Sequence, residues 1–136
     1  MSTERFFLDT AYVLALVNAR DHYHHLARTL FQQVRVASEV WVTEAILTEV
    51  GNGLARSHRA EAATFIHGCY TTPNIKVIPV DTVLFRRAVD LYRSRSDKAW
   101  GLTDCISLLA PIPLAEAQAA HAGGELCGGK EPLRGL

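Results

Sequence analysis

The chain has 136 residues, of which 49% are hydrophobic and 21% are charged, a balance that excludes a disordered segment and predicts one folded domain. Its 14 basic and 14 acidic side chains cancel, which excludes a global positive field as the means of binding nucleic acid. Three widely spaced cysteines without a C-x-x-C pair, no signal-peptide layout and no membrane-length apolar run predict a reduced, soluble, cytoplasmic protein.

Short apolar segments alternate with helix-like ones along the first half of the chain. "RFFL" predicts a strand that ends at Asp9, and the wholly apolar "AYVLALV" predicts a buried helix. A second helix is predicted over roughly residues 22–36, with inward-facing side chains at fourfold spacing: Leu26, Leu30 and Val34. "VWV" predicts a short strand, and Thr43 after it is a natural N-cap for the next helix.

The same alternation continues to about residue 105. A segment around residues 60–71 has one apolar face, formed by Ala62, Ile66 and Cys69. "IKVIPV" predicts a strand in which Pro79 favours the sheet edge or the strand's end. Asp81 then caps a helix whose apolar stripe is Leu84, Ala88 and Leu91. This alternation predicts an α/β sandwich with a mostly parallel sheet.

Three acidic residues have predicted positions that point to a site. Asp9 ends the first strand, at the sheet edge where ligands bind, although a role as helix N-cap explains it equally well. Glu49 lies along the apolar row of its helix, where it is paired, protonated or cation-bound unless it is a flanking, solvated side chain. Asp104 begins another helix, where the helix dipole alone favours an acid. Glu39 and Glu44 lack such placement and are predicted at the surface.

Carboxylates at the ends of elements that share one core repel one another unless a cation neutralises them. Oxygen ligands select hard ions such as Mg²⁺ or Mn²⁺, which activate water and stabilise displacement at a phosphodiester. Ser107 lies one helical turn after Asp104, so its hydroxyl either supports what Asp104 binds or bonds back to the helix backbone.

Three segments match the motifs of a known family: "FFLDTAYVLALVN", "VTEAILTEVGNGL" and "DKAWGLTDCIS". In this order they resemble PIN-domain ribonucleases, and especially VapC-type toxins of bacterial toxin–antitoxin pairs. The resemblance implies a Rossmann-like α/β/α sandwich, Mg²⁺- or Mn²⁺-dependent cleavage of single-stranded or structured RNA, inhibition by a cognate antitoxin, and usually homodimerisation. Carried over by motif, the family's first three acids, catalytic and metal-binding, are Asp9, Glu49 and Asp104, and its accompanying hydroxyls are Thr10 and Ser107.

The resemblance covers residues 5–107 of a single domain spanning 1–136, and the tail over 108–136 is atypical. After residue 105 the chain contains no Val, Thr, Phe, Tyr, Trp, Asp or Asn. "LAEAQAAHAGG" predicts a short helix with a glycine stop, and no segment resembles a final buried strand. The family's fourth acid, expected about twenty residues after the third, is missing, with only Glu116 or Glu125 as substitutes outside any matching motif.

The abrupt loss of strand-forming residues suggests a frameshift in the gene near the codon for Ser107 or Leu108. Translation of the other two reading frames downstream tests this hypothesis. It fails unless one of those frames restores an acid-bearing strand.

A basic segment and a histidine-rich segment are two further candidate sites. The segment over residues 86–98 offers possible RNA contacts, although a solvated helix face also explains it: Arg86, Arg87, Arg93, Arg95 and Lys98. "DHYHH" has histidine spacings that do not stack on one helical face, which disfavours a transition-metal site.

Other function classes remain open beside the ribonuclease. A catalytically impaired PIN-like module would bind an antitoxin or RNA without cleaving it, because the fourth acid is missing. A haloacid-dehalogenase-like phosphatase would need a second aspartate where Ala11 stands, and a response-regulator receiver would need paired acids that the sequence lacks.

Overall fold

The structure, a computed structural model, describes residues 4–112, 118–120 and 126–128. Helices and strands alternate over most of this length, as the sequence predicts. In chain order the elements are β1 (Arg5–Leu8), α1 (Thr10–Val17), α2 (His24–Arg35), β2 (Glu39–Thr43), α3 (Glu44–Gly53), α4 (Arg59–Thr71), β3 (Ile75–Ile78), α5 (Thr82–Ser94), α6 (Leu102–Leu109), β4 (Gln118–Ala120) and β5 (Leu126–Gly128).

The strands form one sheet in the order β3-β2-β1-β4-β5. Strand β1 lies between β2 and β4 and is parallel to both, with Phe7 in register with Trp41 and with Ala119. Strand β2 is parallel to β3, whereas β4 and β5 are antiparallel. The predicted mostly parallel sheet is therefore confirmed, and β3 lies at its edge as Pro79 indicated.

The core is built around β1, whose Phe6, Phe7 and Leu8 are all buried. Helix α1 packs against α2 and α3 and buries Tyr12, which donates a hydrogen bond to the Ala27 carbonyl at 3.1 Å. A smaller buried cluster joins α5 to α6. Because both faces of β1 are covered, its near-continuous apolar sequence is what a central parallel strand requires.

Helices α1, α3 and α5 each follow a strand in the chain, and each begins with the same type of cap. Asp9, Thr43 and Asp81 accept hydrogen bonds from the backbone N–H three residues later, at 2.7, 3.3 and 2.8 Å. Each bond satisfies an otherwise unpaired N–H of a first helical turn. The predicted N-caps are confirmed.

No helix within residues 4–112 is long and apolar enough to cross a membrane.

Two sequence predictions about the elements are wrong. Leu26 is 47% exposed, because the buried row of α2 runs through Ala27, Leu30 and Val34 instead. The tail segment predicted as a helix, with no final strand after it, contains β4, which pairs with β1. The open edge of β1 offers backbone N–H and C=O groups that a further strand satisfies whatever its side-chain propensities.

Candidate active site

Asp9 stands at the end of β1 and on the first turn of α1. Its Oδ1 accepts the hydrogen bond from the Tyr12 N–H, so the N-cap role is real. The cap also fixes the direction in which the carboxylate points. Capping and ligand binding are therefore compatible for this side chain, because a carboxylate has two oxygens with several acceptor positions.

Asp104 lies in the first turn of α6, as the third residue of that helix. Its Oδ2 accepts a hydrogen bond from the Gly101 N–H at 2.9 Å. This is the reverse bond of a capping box, in which the N–H of the cap residue donates to the side chain of the third helical residue. Ser107, only 4% exposed, donates to the Thr103 carbonyl at 3.1 Å, so the predicted back-bonding alternative holds for its hydroxyl.

The two aspartates meet in one small cavity. Asp9, Thr10, Asp104 and Ser107 line a space of about 30 Å³ whose remaining walls are Phe7, Ile46 and Thr103. The volume suits one water molecule or one ion. Four of the five side chains predicted for the site therefore come together, although they derive from opposite ends of the described chain.

Glu49 does not line this cavity but is bonded to Thr10, which does. Thr10 Oγ1 donates to Glu49 Oε1 at 2.6 Å, which links α1 to α3 beside the two aspartates. The prediction that Glu49 lies on the buried row of its helix is wrong, because it is exposed while Ile46 and Val50 are buried. Its position along the chain places it beside that row and towards α1.

A comparison of the sequence with known protein families adds independent evidence. The PIN domain matches residues 6–110, which is most of the chain. This chain belongs to the PIN-domain family. The matched segment begins in β1 and ends just after α6, so it contains all three predicted acids of the PIN site.

A solved structure similar to this PIN domain is VapC20 of Mycobacterium tuberculosis, described as a sarcin-ricin loop cleaving toxin. The TM-score is 0.66 at 22% sequence identity, and the likeness covers 76% of this chain and 78% of VapC20. No curated protein sequence matches the chain. The structural likeness confirms the predicted Rossmann-like α/β sandwich.

The donors of the PIN cavity are carboxylate and hydroxyl oxygens, the ligand set of a hard divalent cation. Two carboxylates that line so small a space repel each other, and a bound cation would offset that repulsion. However, no three His, Cys, Asp or Glu side chains within residues 4–112 are gathered closely enough to hold a metal ion. The oxygen donors of the cavity are therefore of the type that binds such an ion. Glu49 lies beside the cavity and is bonded to Thr10, one of the residues that line it. Glu116 and Glu125 lie outside the described residues.

The predicted RNA contacts do not line the cavity. Arg93 lies 3.4 Å from Asp90 on the exposed face of α5, which also carries Arg86 and Arg87. Arg95 donates two hydrogen bonds of 3.0 Å to Asp97, and the guanidinium holds the pKa of that carboxyl below its usual value. Arg95 and Lys98 also lie over the ring of Trp100.

The histidine-rich segment likewise has a structural explanation. His24 Nδ1 lies 2.8 Å from the Ala15 carbonyl oxygen, which joins the start of α2 to α1. Neither His22 nor His25 takes part in a cluster of metal-binding side chains within residues 4–112.

Glu44, predicted at the surface, takes part in a hydrogen-bond network between distant segments. It is half-buried, accepting hydrogen bonds from the Tyr70 hydroxyl at 2.6 Å and from the Val80 N–H at 3.1 Å. The hydrogen bond to Glu44 is the main cause that raises the pKa of Tyr70 to about 12. No local pattern could reveal this network, because its three residues lie on separate elements.

The buried thiols of this PIN domain should be unreactive in the native state. Burial raises the pKa of Cys69 to about 11, from about 9, and the thiolate is the nucleophile. We expect iodoacetamide at pH 8 to modify Cys69 at least about 100-fold more slowly than in the urea-unfolded chain. Peptide mass mapping measures both rates, and comparable rates in the two states would contradict the buried position.

Proposed function

We propose that this chain is a Mg²⁺- or Mn²⁺-dependent endoribonuclease and the toxin of a toxin–antitoxin pair. The observation that carries the proposal is the meeting of Asp9 and Asp104 with Thr10 and Ser107 in one cavity. Membership of the PIN-domain family and the likeness to VapC20, described as a sarcin-ricin loop cleaving toxin, support the reaction class. The reaction is hydrolysis of an RNA phosphodiester bond by water.

Each side chain has a separate role in this proposal. Asp9 and Asp104 would hold the cation in the cavity, and Glu49 would complete the set of carboxylates from beside it. The cation, when bound, would activate water and stabilise the charge that develops on the phosphate. The helix-cap bonds orient Asp9 and Asp104 before any ligand arrives. Thr10 fixes Glu49 through its 2.6 Å hydrogen bond. Ser107 lines the cavity beside the two aspartates.

The partners follow from the same family proposal. We infer an RNA substrate, a cognate antitoxin protein that inhibits cleavage, a homodimeric assembly and a cytoplasmic location. Arg86, Arg87, Arg93, Arg95 and Lys98 stay proposed RNA contacts outside the cavity. The family-like part of the single domain is proposed to end near residue 107, close to the end of the PIN match at residue 110.

A second candidate function is a PIN-like module that binds an antitoxin or RNA without cleaving. The observation that favours it is β4, which lies beside β1 where another acid-bearing strand end would complete the site. Its residues are Gln118, Ala119 and Ala120, none of which is an acid. Two cavity carboxylates and Glu49 would then bind a cation too weakly for catalysis.

An RNA cleavage assay with and without Mn²⁺ tests the proposal, using the wild type and Asp104→Asn. We expect cleavage by the wild type only with the metal, and a loss of at least about 100-fold in the variant, because one preorganised charge is removed. Asp90→Asn, a change of an exposed acid on α5, is the matched control and should keep full activity.

Each outcome decides between the two functions. RNA binding without cleavage at any Mn²⁺ concentration supports the binding module. Equal traces of cleavage by the wild type and Asp104→Asn would remove Asp104 from the site.

A further inference from the structure

A second cavity, of about 270 Å³, is lined by residues of the three strands β1, β2 and β3 and of the helices α1, α2 and α4. Its walls are almost wholly apolar and include Leu8, Tyr12, Leu16, Phe31, Phe65 and Ile75. No described residue lines both this cavity and the acidic one, so the two are separate spaces. An engineered apolar cavity of roughly 150 Å³ in another protein holds benzene, so this apolar cavity is large enough for a small hydrocarbon ligand.

Gly68 of α4 leaves part of the apolar cavity open. It lines the cavity, and a Cβ atom added to it would meet no atom of the described residues outside its own stretch of helix within 4 Å. A glycine inside a helix is less favourable than an alanine, and no close approach of another described segment requires one here. The close packing that is usual in protein interiors is therefore interrupted at this point.

One positive charge borders the apolar cavity. Arg35 is the only charged side chain among the described residues that line it. This side chain is exposed, and its guanidinium has no hydrogen-bond or ion-pair partner in the described part of the chain. An unpartnered cation beside an apolar space suits the charged end of an amphipathic anion.

A surface depression of about 450 Å³ continues from the apolar cavity at Arg35. Leu16, Phe31 and Arg35 line both spaces, and the depression adds Arg28. Arg28 and Arg35 are seven residues apart, which places them on the same side of α2, two turns from each other. No Asp or Glu is among the described residues that line either space, and α2 itself contains none. The local field at the mouth of the cavity therefore attracts an anion.

We propose that the apolar cavity and the depression beside it form a binding site for one amphipathic anion, a medium-chain carboxylate. The hydrocarbon chain fills the cavity, and the carboxylate pairs with Arg35 at its mouth, with Arg28 adding a second positive charge. Arginine binds a carboxylate through two parallel hydrogen bonds, and one bordering guanidinium matches its single charge. The site does not include the acidic cavity, so the inference is independent of the proposed ribonuclease function.

The first test is isothermal titration calorimetry of the full-length chain with four ligands: octanoate, butyrate, octanol and octylammonium. Octanoate should bind one molecule per chain. Butyrate should bind at least about 50-fold more weakly, because each buried methylene contributes roughly fourfold to affinity. Octanol, which lacks the charge, should bind about tenfold more weakly than octanoate, and octylammonium more weakly still.

Matched variants separate the two parts of the site. Arg35→Gln should weaken octanoate binding about tenfold and leave octanol binding unchanged, whereas Arg56→Gln, a change of an exposed arginine outside both spaces, should alter neither. Gly68→Leu occupies the open space and should weaken both ligands at least about tenfold. Gly68→Ala adds only one methyl group and should stay within about threefold of the wild type. Circular dichroism checks the fold of each variant.

The proposal is overturned by any of three results. One is the absence of octanoate binding at millimolar concentration, whether or not the chain cleaves RNA. Another is equal affinity for octanoate and octanol that Arg35→Gln does not change, which would show that the head group is not recognised. The third is a dimer in sedimentation that Arg35→Gln dissociates and octanoate does not affect, since a second copy would then cover the mouth. Octanoate binding that both Arg35→Gln and Gly68→Leu weaken would support the site.

Discussion

Replacement of Asp9 by asparagine should reduce metal-dependent RNA cleavage by roughly 100-fold or more and leave the fold intact. Asparagine caps helices as well as aspartate, so the 2.7 Å bond from the Tyr12 N–H is retained. What is lost is the negative charge at the end of β1 that the cation requires. The kinetic measurement is kcat/KM at saturating Mn²⁺, paired with a urea unfolding curve.

Asp81→Asn is the matched control for this substitution. Asp81 caps α5 with the same geometry, its Oδ1 accepting the Leu84 N–H at 2.8 Å, but it does not line the acidic cavity. The two variants should therefore unfold alike, and only Asp9→Asn should lose activity. Equal activity in both would show that Asp9 is a helix cap and nothing more.

Truncation of Phe6 to alanine should lower the free energy of unfolding by about 3–5 kcal/mol. Phe6 is fully buried in β1, the strand that lies between β2 and β4. The loss combines the transfer free energy of the ring with the cavity that it leaves, because close packing prevents full collapse. Urea denaturation followed by circular dichroism measures the change.

Val83→Ala provides the control for Phe6→Ala, since Val83 is 67% exposed on α5. Its effect should stay within about 0.5 kcal/mol, as for other surface substitutions. A similar small effect for Phe6→Ala would mean that β1 is not the centre of a cooperative core, and the site at its end would lose its support.

Local signals account for what the sequence predicted well. A cap bond joins residues three positions apart, so Asp9, Thr43 and Asp81 were recognisable from the chain alone. The spacing of apolar residues indicates that a helix has a buried row, but it does not decide which of two neighbouring residues belongs to that row. The fourfold spacing of α2 predicted a row that begins at Leu26, whereas in the packed structure Ala27 is buried and Leu26 is exposed.

Contacts between distant segments explain what the sequence did not predict. Glu49 was assigned to the buried row, whereas its exposed carboxylate is positioned by Thr10 of another helix. The Glu44–Tyr70 bond joins residues on different helices, so neither residue signals it locally. The strand β4 forms because its backbone pairs with β1, although its three residues have no strong strand propensity.

The acidic cavity is built from residues that lie far apart in the chain, and this affects when it can form during protein synthesis. Asp9 and Thr10 lie near the start of the segment that matches the PIN domain, and Asp104 and Ser107 lie near its end, so the ribosome makes the two parts of the cavity at different times. A chain that stops before α6 has only one of the two carboxylates that line the cavity, and no enclosed site. For the proposed ribonuclease, this order of synthesis would keep the acidic site incomplete until α6 has been made.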